Sequence, residues 1–247
     1  MKSLQPLLAA LQFLTVIPAG GHVPQEALGR ALPWFPVVGL IIGIGAGLAY
    51  ALALLLGLPP PAASLVGVLV LSGLSGFLHL DGVADTADGF FSARPREKIL
   101  DIMRDSHVGT MGVVGLFAIL GLKWAALASM PPDTAWKALV LAPVLGRAAQ
   151  VCSMTLLPYV RSSGGLASIF INNRSRSNMY WALGIAGIAA LFGGGAGVAA
   201  LVLGALAAFL FSLWCMRKIG GITGDTVGAA TEVVETAALC AICALVA

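Results

Sequence analysis

Residues 36 to 58 read PVVGLIIGIGAGLAYALALLLGL, a run that contains no charged side chain. A helix needs about 20 consecutive apolar residues to cross the hydrocarbon core of a bilayer, and this run is long enough. Six further stretches are predominantly apolar, at residues 62 to 80, 108 to 130, 137 to 158, 179 to 192, 197 to 216 and 229 to 247. The sequence therefore predicts an all-α protein, a polytopic transmembrane helix bundle of about seven spans.

The overall composition agrees with this prediction. Hydrophobic residues make up 59% of the 247-residue chain and charged residues 10%, against roughly 25% charged in a soluble domain. An ordinary water-soluble globule is thereby excluded, and we expect residues 1 to 247 to form a single integral membrane domain surrounded by lipid. The net charge of +3 is small and the basic residues lie in short loops, so no nucleic-acid partner is expected. The composition leaves a homo-oligomer open.

Two segments bear on the number of spans. The stretch from 179 to 192 is short and precedes a triple glycine, Gly193 to Gly195, so a kinked or re-entrant helix here would leave six spans. Residues 4 to 17 are apolar but too short to cross a bilayer. We expect them to form a helix at the membrane interface.

The distribution of basic residues predicts the orientation. With seven spans, eleven of the fourteen Lys and Arg residues fall on one side of the membrane. Basic loops stay in the cytoplasm, so the N-terminus is expected to be cytoplasmic and the protein to be a multi-pass protein of the cell inner membrane. The polar motifs described below lie in the same loops, which predicts an active site facing the cytoplasm.

Acidic residues are concentrated in one short segment. Six of the eleven lie between Asp81 and Asp105. Asp81, Asp85 and Asp88 have the spacing i, i+4, i+7, which places them on one face of a helix continuing from the second span, and Asp101 follows shortly afterwards. Like charges at a membrane surface repel one another unless a cation neutralises them. Oxygen ligands without Cys or clustered His select Mg²⁺, with Mn²⁺ as the alternative.

The residues around this acidic segment suit a phosphate-rich substrate. Arg94 and Arg104 could take up phosphate charge beside metal-bound carboxylates. His79 precedes the segment and His107 follows it, and each is a candidate base or hydrogen-bond partner, packing at the interface being the alternative. A solvated acidic loop is the simpler interpretation of the whole segment, but the helical spacing of the carboxylates favours a site.

Three other regions carry polar residues. Arg147 lies within the fourth span, where we expect a phosphate or carboxylate partner for its charge, extension toward the interface being the alternative. Lys123 is expected to extend toward the outer surface. In the loop that begins at Arg161, backbone amides at Gly164 and Gly165 could cradle phosphate, and a flexible loop is the alternative. At the start of the last span, three carboxylates are expected to face the same cavity as the acidic segment: Asp225, Glu232 and Glu235.

Three segments resemble the cobalamin synthases, which are adenosylcobinamide-GDP ribazoletransferases. They are HLDGVADTADG (79 to 89), DIMRDSHVGTMG (101 to 112) and GGITGDTVGAATEVVE (220 to 235), and the similarity extends from FLTVIP (13 to 18) to Glu235. The resemblance implies that a GDP-activated corrinoid gives its β-phosphate to the 3′-hydroxyl of α-ribazole or of its 5′-phosphate. The reaction releases GMP and closes the nucleotide loop of the cofactor.

The same residues are similar to the motif of the CDP-alcohol phosphatidyltransferases, although the spacing around Ala93 to Asp101 differs. By that analogy Asp85, Asp88 and Asp101 hold the metal and Asp105 is the base, and the ribazoletransferase motif adds Asp81 as a ligand. A CDP-alcohol phosphatidyltransferase of phospholipid synthesis is therefore the alternative function. A cation-coupled transporter is a further alternative, since it too would use carboxylates in the membrane.

Overall fold

The computed structural model describes residues 4–19, 24–161 and 166–246. Within these ranges the regular structure is helical, apart from one isolated β-bridge between Tyr159 and Ile222. The predicted all-α class is thereby confirmed. A 3₁₀ turn, Leu32–Trp34, precedes the third helix. The α-helices are, in chain order, α1 (Gln5–Leu14), α2 (Gln25–Gly29), α3 (Phe35–Leu55), α4 (Pro60–Leu74), α5 (Leu78–Phe90), α6 (Arg96–Ile102), α7 (Thr110–Ala128), α8 (Pro132–Leu156), α9 (Leu166–Asn172), α10 (Arg176–Phe192), α11 (Gly194–Ile219) and α12 (Gly224–Val246).

Among the described residues, five helical segments are long and apolar enough to cross a membrane: α3 with its 3₁₀ turn, α7, α8, α11 and α12. A sixth is present if α4 and α5, which meet at 90°, count as one broken span. The short fifth stretch of the prediction lies in α10, whose 17 residues extend about 26 Å against a hydrocarbon core of about 30 Å. The membrane bundle is thus confirmed with five to six long apolar helices, closer to the lower predicted count.

Helix α8 is at the centre of the bundle. In the most apolar 18-residue segment of α8, 72% of the residues are buried, whereas in that of α11 only 17% are buried. Helix α3 approaches α8 closely, because a Cβ at Gly39 would lie 2.4 Å from the carbonyl oxygen of Pro143. The exposed side of α11 carries large apolar residues such as Leu206, Phe209 and Leu210. This surface is suited to contact with lipid chains rather than water.

A sharp bend between α4 and α5 positions the acidic segment. Gly76 and Phe77 both have left-handed backbone angles, with φ of 59° and 58°. The second apolar stretch, predicted over 62 to 80, is therefore interrupted after Leu74, and the carboxylates do not lie on a direct continuation of that span. Instead α5 turns away from α4 and packs against α7 and α12.

Several connections meet at the same end of the bundle as α5. The Nζ of Lys218 donates to the carbonyl oxygen of Phe90 at 2.7 Å, and the Nε of Arg96 donates to that of Ile219 at 2.6 Å. At this end α1 also connects to α4, since the Val16 N–H donates to the Leu74 carbonyl oxygen at 2.9 Å. The loops that the sequence predicts to be on one side of the membrane are therefore connected by hydrogen bonds to backbone carbonyl oxygens.

Candidate active site

The carboxylates of α5 lie beside the first turn of α12. Asp81 is exposed, whereas Asp85 and Asp88 are partly buried. The two helices touch through Gly82, where a Cβ would be 2.5 Å from the carbonyl oxygen of Asp225. Asp225 and Asp81 are the nearest sources of negative charge acting on Asp85. The structure thus brings Asp225, which is distant in the sequence, next to the two carboxylates of α5.

Asp88 is differently placed, because it caps the start of α7. Its two carboxylate oxygens accept hydrogen bonds from the backbone N–H groups of Gly109 and Gly112, at 2.7 and 2.8 Å. These N–H groups have no partner within their own helix, and a negative charge is favourable there. A Cβ at either glycine would lie 2.5 Å from an Asp88 oxygen. Asp88 therefore ties α5 to α7.

Arg161 is the cation nearest to this cluster. Its guanidinium donates to Asp225 at 2.6 Å and to the backbone carbonyl oxygen of Met103 at 3.2 Å. The charge of Arg161 also acts on Asp85. One arginine thus joins the loop before α7 to the first turn of α12 and offsets part of the negative charge.

The chemistry of these donors fits a hard cation. Asp81 and Asp85 accept no hydrogen bond from any described side chain or backbone group, so their oxygens are free to bind a metal ion. Within residues 4–19, 24–161 and 166–246, the side chains of His, Cys, Asp and Glu do not form a group of three close enough to hold a metal ion as they stand. Mg²⁺ prefers carboxylate oxygens and keeps several waters, so two or three of these side chains would suffice after turning toward a common point.

Asp101 and Asp105 lie outside this cluster. Asp101 pairs with Lys98 at 3.4 Å on the surface of α6. Asp105 is exposed, and its Oδ1 is 2.6 Å from Nδ1 of His107. This hydrogen bond lowers the pKa of Asp105 and raises that of His107. A carboxylate that orients an imidazole in this way leaves the imidazole as the better proton acceptor of the two.

The predicted phosphate-binding residues are only partly described. Arg94 and Arg104 are exposed on the loop between α5 and α7, and neither is in an ion pair with a described residue. Gly164 and Gly165 lie outside the described residues. The two exposed guanidinium groups remain accessible to a phosphate-bearing molecule at this surface.

The other predicted site residues form a buried network in the bundle. Arg147 donates to Glu235 and, at 2.8 Å, to the hydroxyl of Ser75. Lys123 donates to Glu232 at 2.6 Å and to Glu235 at 2.5 Å. The expectation that Lys123 extends to the outer surface is wrong, because its side chain is fully buried and is neutralised by these two carboxylates.

The structure therefore separates the three acids at the start of α12. Asp225 lies beside α5, whereas Glu232 and Glu235 are 3% and 1% exposed and bind the two buried cations. The sequence signal for this network was the helical spacing of Glu232 and Glu235, together with two cations in neighbouring spans. It could not show which carboxylates would meet which cations.

A cavity of about 180 Å³ lies next to the carboxylate cluster. Asp81, Asp225 and Arg161 line it together with His79, Gln150 and several apolar residues. His79, predicted as a candidate base or hydrogen-bond partner, is only 2% exposed and is therefore inside the bundle. Gln150 was not identified from the sequence. Its signal is an amide one helical turn beyond Arg147, within a span that is otherwise apolar.

The whole chain is similar to proteins of one family. The sequence profile described as cobalamin-5-phosphate synthase matches residues 6 to 243. Adenosylcobinamide-GDP ribazoletransferase from Herpetosiphon aurantiacus is 38% identical, over 97% of this chain and 96% of its own length. The protein of that name from Roseiflexus sp. is 40% identical over 95% of this chain and 87% of its own length. No solved structure matches the chain. With similarity over nearly its full length, the chain belongs to the cobalamin-5-phosphate synthase family.

Proposed function

We propose that this chain is the transferase named in its relatives. It would transfer the phosphocobinamide group of adenosylcobinamide-GDP to α-ribazole or its 5′-phosphate, releasing GMP and forming adenosylcobalamin or its 5′-phosphate. The structural observation that carries the proposal is the cluster of Asp81, Asp85 and Asp225 with Arg161, beside a cavity at the end of the bundle where the loops meet. Carboxylates and a guanidinium together suit the transfer of a phosphoryl group.

Asp81, Asp85 and Asp225 are the residues that would hold Mg²⁺ or Mn²⁺. A bound divalent ion would polarise the diphosphate and offset the charge of the departing nucleotide. Asp88 is assigned to capping α7 and Asp101 to a surface pair with Lys98, which revises the ligand set expected from sequence. The supporting observation is that Asp81 and Asp85 keep their oxygens free while Asp88 uses both of its own.

The cationic groups bind the charged ends of the substrates in this proposal. Arg94 and Arg104 are exposed at the rim of the loop surface, where they can reach a diphosphate without losing an internal partner. Arg161 is already shared with Asp225 and serves to hold that carboxylate in place. Guanidinium groups pair with phosphate oxygens through two parallel hydrogen bonds, which fixes orientation as well as charge.

The attacking hydroxyl must lose a proton, and the pair of His107 and Asp105 is the proposed acceptor. Asp105 orients the ring through Nδ1, and the other ring nitrogen takes the proton. General bases of this kind contribute typically about 10²- to 10⁴-fold to the rate. The loop that carries the pair, between α6 and α7, is exposed and can approach a bound substrate.

The loop end of the bundle is proposed to face the cytoplasm from the cell inner membrane. The support is the concentration of basic residues in these loops, which favours retention on the cytoplasmic side. A cysteine placed at Ser106 in a cysteine-free background should resist an impermeant reagent in intact cells and react after lysis. Labelling of intact spheroplasts would place this loop on the outer side instead.

The ligand assignment is tested with matched variants. Asp85→Asn should raise the Mg²⁺ concentration needed for half-maximal activity, because an amide oxygen is an uncharged and weaker ligand. Asp101→Asn, at a carboxylate on the same face of the protein but outside the cluster, should leave that concentration unchanged. An equal Mg²⁺ requirement for both variants would remove Asp85 from the metal site.

A further inference from the structure

The cavity beside the carboxylate cluster contains polar groups that the protein itself does not use. It lies between α1, α5, α8 and α12, and His79 and Gln150 are among the residues that line it. His79 is 2% exposed and Gln150 3% exposed. Within the described parts of the chain, the two ring nitrogens of His79 and the Oε1 of Gln150 have no hydrogen-bond partner.

Buried polar atoms without partners are rare and destabilising, because they lose water without gaining another hydrogen bond. Here the two side chains that carry them, on α5 and α8, line the same cavity, although the unpartnered atoms themselves have almost no accessible surface. A ligand with hydroxyl or amine groups in the cavity would complete their hydrogen bonds once the side chains turn toward it.

The size of the cavity selects between the two substrates of the proposed reaction. A volume of about 180 Å³ is enough for several water molecules. A ribose ring with its hydroxyl groups fits such a space, whereas a corrinoid ring system is several times too large. The corrinoid must therefore stay outside the cavity, on the loop surface.

The chemistry of the walls agrees with a sugar. An amide and an imidazole hydrogen-bond neutral hydroxyl groups, and Phe13 and Tyr159 provide aromatic surface for an attached base. Asp81 and Asp225 line the same cavity. They also belong to the carboxylate cluster, so a sugar held by Gln150 has a hydroxyl next to the site of phosphoryl transfer.

We propose that this cavity binds the ribose of the nucleoside acceptor, with Gln150 and His79 hydrogen-bonding its hydroxyl groups. The inference rests on the proposed transferase function and assigns one of its two substrates to a defined place. It also assigns Gln150 a binding role in acceptor recognition.

The test compares Gln150→Leu with Tyr50→Phe in purified protein. Leucine removes the amide but keeps the approximate volume. Tyr50→Phe likewise removes a buried hydroxyl that has no described partner, on α3 and outside the cavity. The KM for α-ribazole should rise about 10- to 100-fold in Gln150→Leu, as expected for losing a buried hydrogen bond. The KM for adenosylcobinamide-GDP should stay within about twofold, and both constants should be unchanged in Tyr50→Phe.

A second measurement separates binding from structural damage. Wild-type protein should discriminate against 2′-deoxy-α-ribazole, and Gln150→Leu should lose part of that discrimination, whereas a merely misfolded variant would lose activity equally with both acceptors. If Gln150→Leu is not recovered folded, Gln150→Asn serves in the same comparison. An unchanged acceptor KM, or equal rises for both substrates, would overturn the inference. Wild-type protein that forms no GMP at all would instead overturn the proposed function.

Discussion

Replacing Lys123 should strongly destabilise the protein, because Lys123 neutralises two carboxylates inside the bundle. Its side chain is fully buried and donates to Glu232 at 2.6 Å and to Glu235 at 2.5 Å. In Lys123→Met, Arg147 is the one cationic partner that the two carboxylates keep among the described residues. Removing one member of a buried ionic network typically costs about 3 to 5 kcal/mol. Since 1.4 kcal/mol corresponds to a factor of ten, the folding equilibrium should shift by about 100- to 4,000-fold.

Thermal unfolding of detergent-purified protein, followed by size-exclusion chromatography, measures this effect. A loss of this size should lower the midpoint on the order of 10 °C. Lys137→Met is the matched control, because Lys137 is exposed and its ion pair with Asp133 is long, at 4.0 Å. This replacement should change the free energy of unfolding by less than about 0.5 kcal/mol. Adding Glu232→Gln to Lys123→Met should recover part of the loss by restoring charge balance. Equal midpoints for Lys123→Met and Lys137→Met would refute the argument.

Three further outcomes follow from the geometry. Asp105→Asn should move the acid limb of the pH–rate profile to lower pH. Activity requires the neutral imidazole of His107 and so rises above its pKa, which Asp105 raises and which should fall without the carboxylate. An acid limb that does not move would exclude His107 as the base. Gly82→Ala should reduce activity at least about tenfold, because its Cβ would lie 2.5 Å from the Asp225 carbonyl oxygen, whereas Gly121→Ala, with nothing within 4 Å, should be neutral or slightly stabilising. Exhaustive EDTA treatment should abolish turnover and added Mg²⁺ should restore it, and full activity after EDTA would contradict a metal site.

The sequence was sufficient for the features that depend on local patterns. Long apolar runs identified the membrane helices, and the spacing of Asp81, Asp85 and Asp88 placed them on one helix. The sequence could not show the break after Leu74, because Gly76 and Phe77 adopt left-handed angles that only the packing of α5 on α7 and α12 explains.

The site was less predictable because it depends on contacts between distant segments. Asp88 is formally one of three equivalent acids, and only the tertiary structure shows that it caps α7. Asp225 and Glu232 are close in sequence, yet the first faces the loop surface and the second a buried lysine. Gln150 carries no charge and belongs to no motif, so only its position in the cavity reveals it.

The most direct test of the account is a turnover assay with the purified protein in liposomes, supplied with Mg²⁺, adenosylcobinamide-GDP and α-ribazole. GMP and adenosylcobalamin should appear in equal amounts, and Asp85→Asn should reduce both together. Release of CMP from a CDP-activated lipid, or passage of substrate across the liposome membrane without GMP formation, would contradict the proposed transferase function.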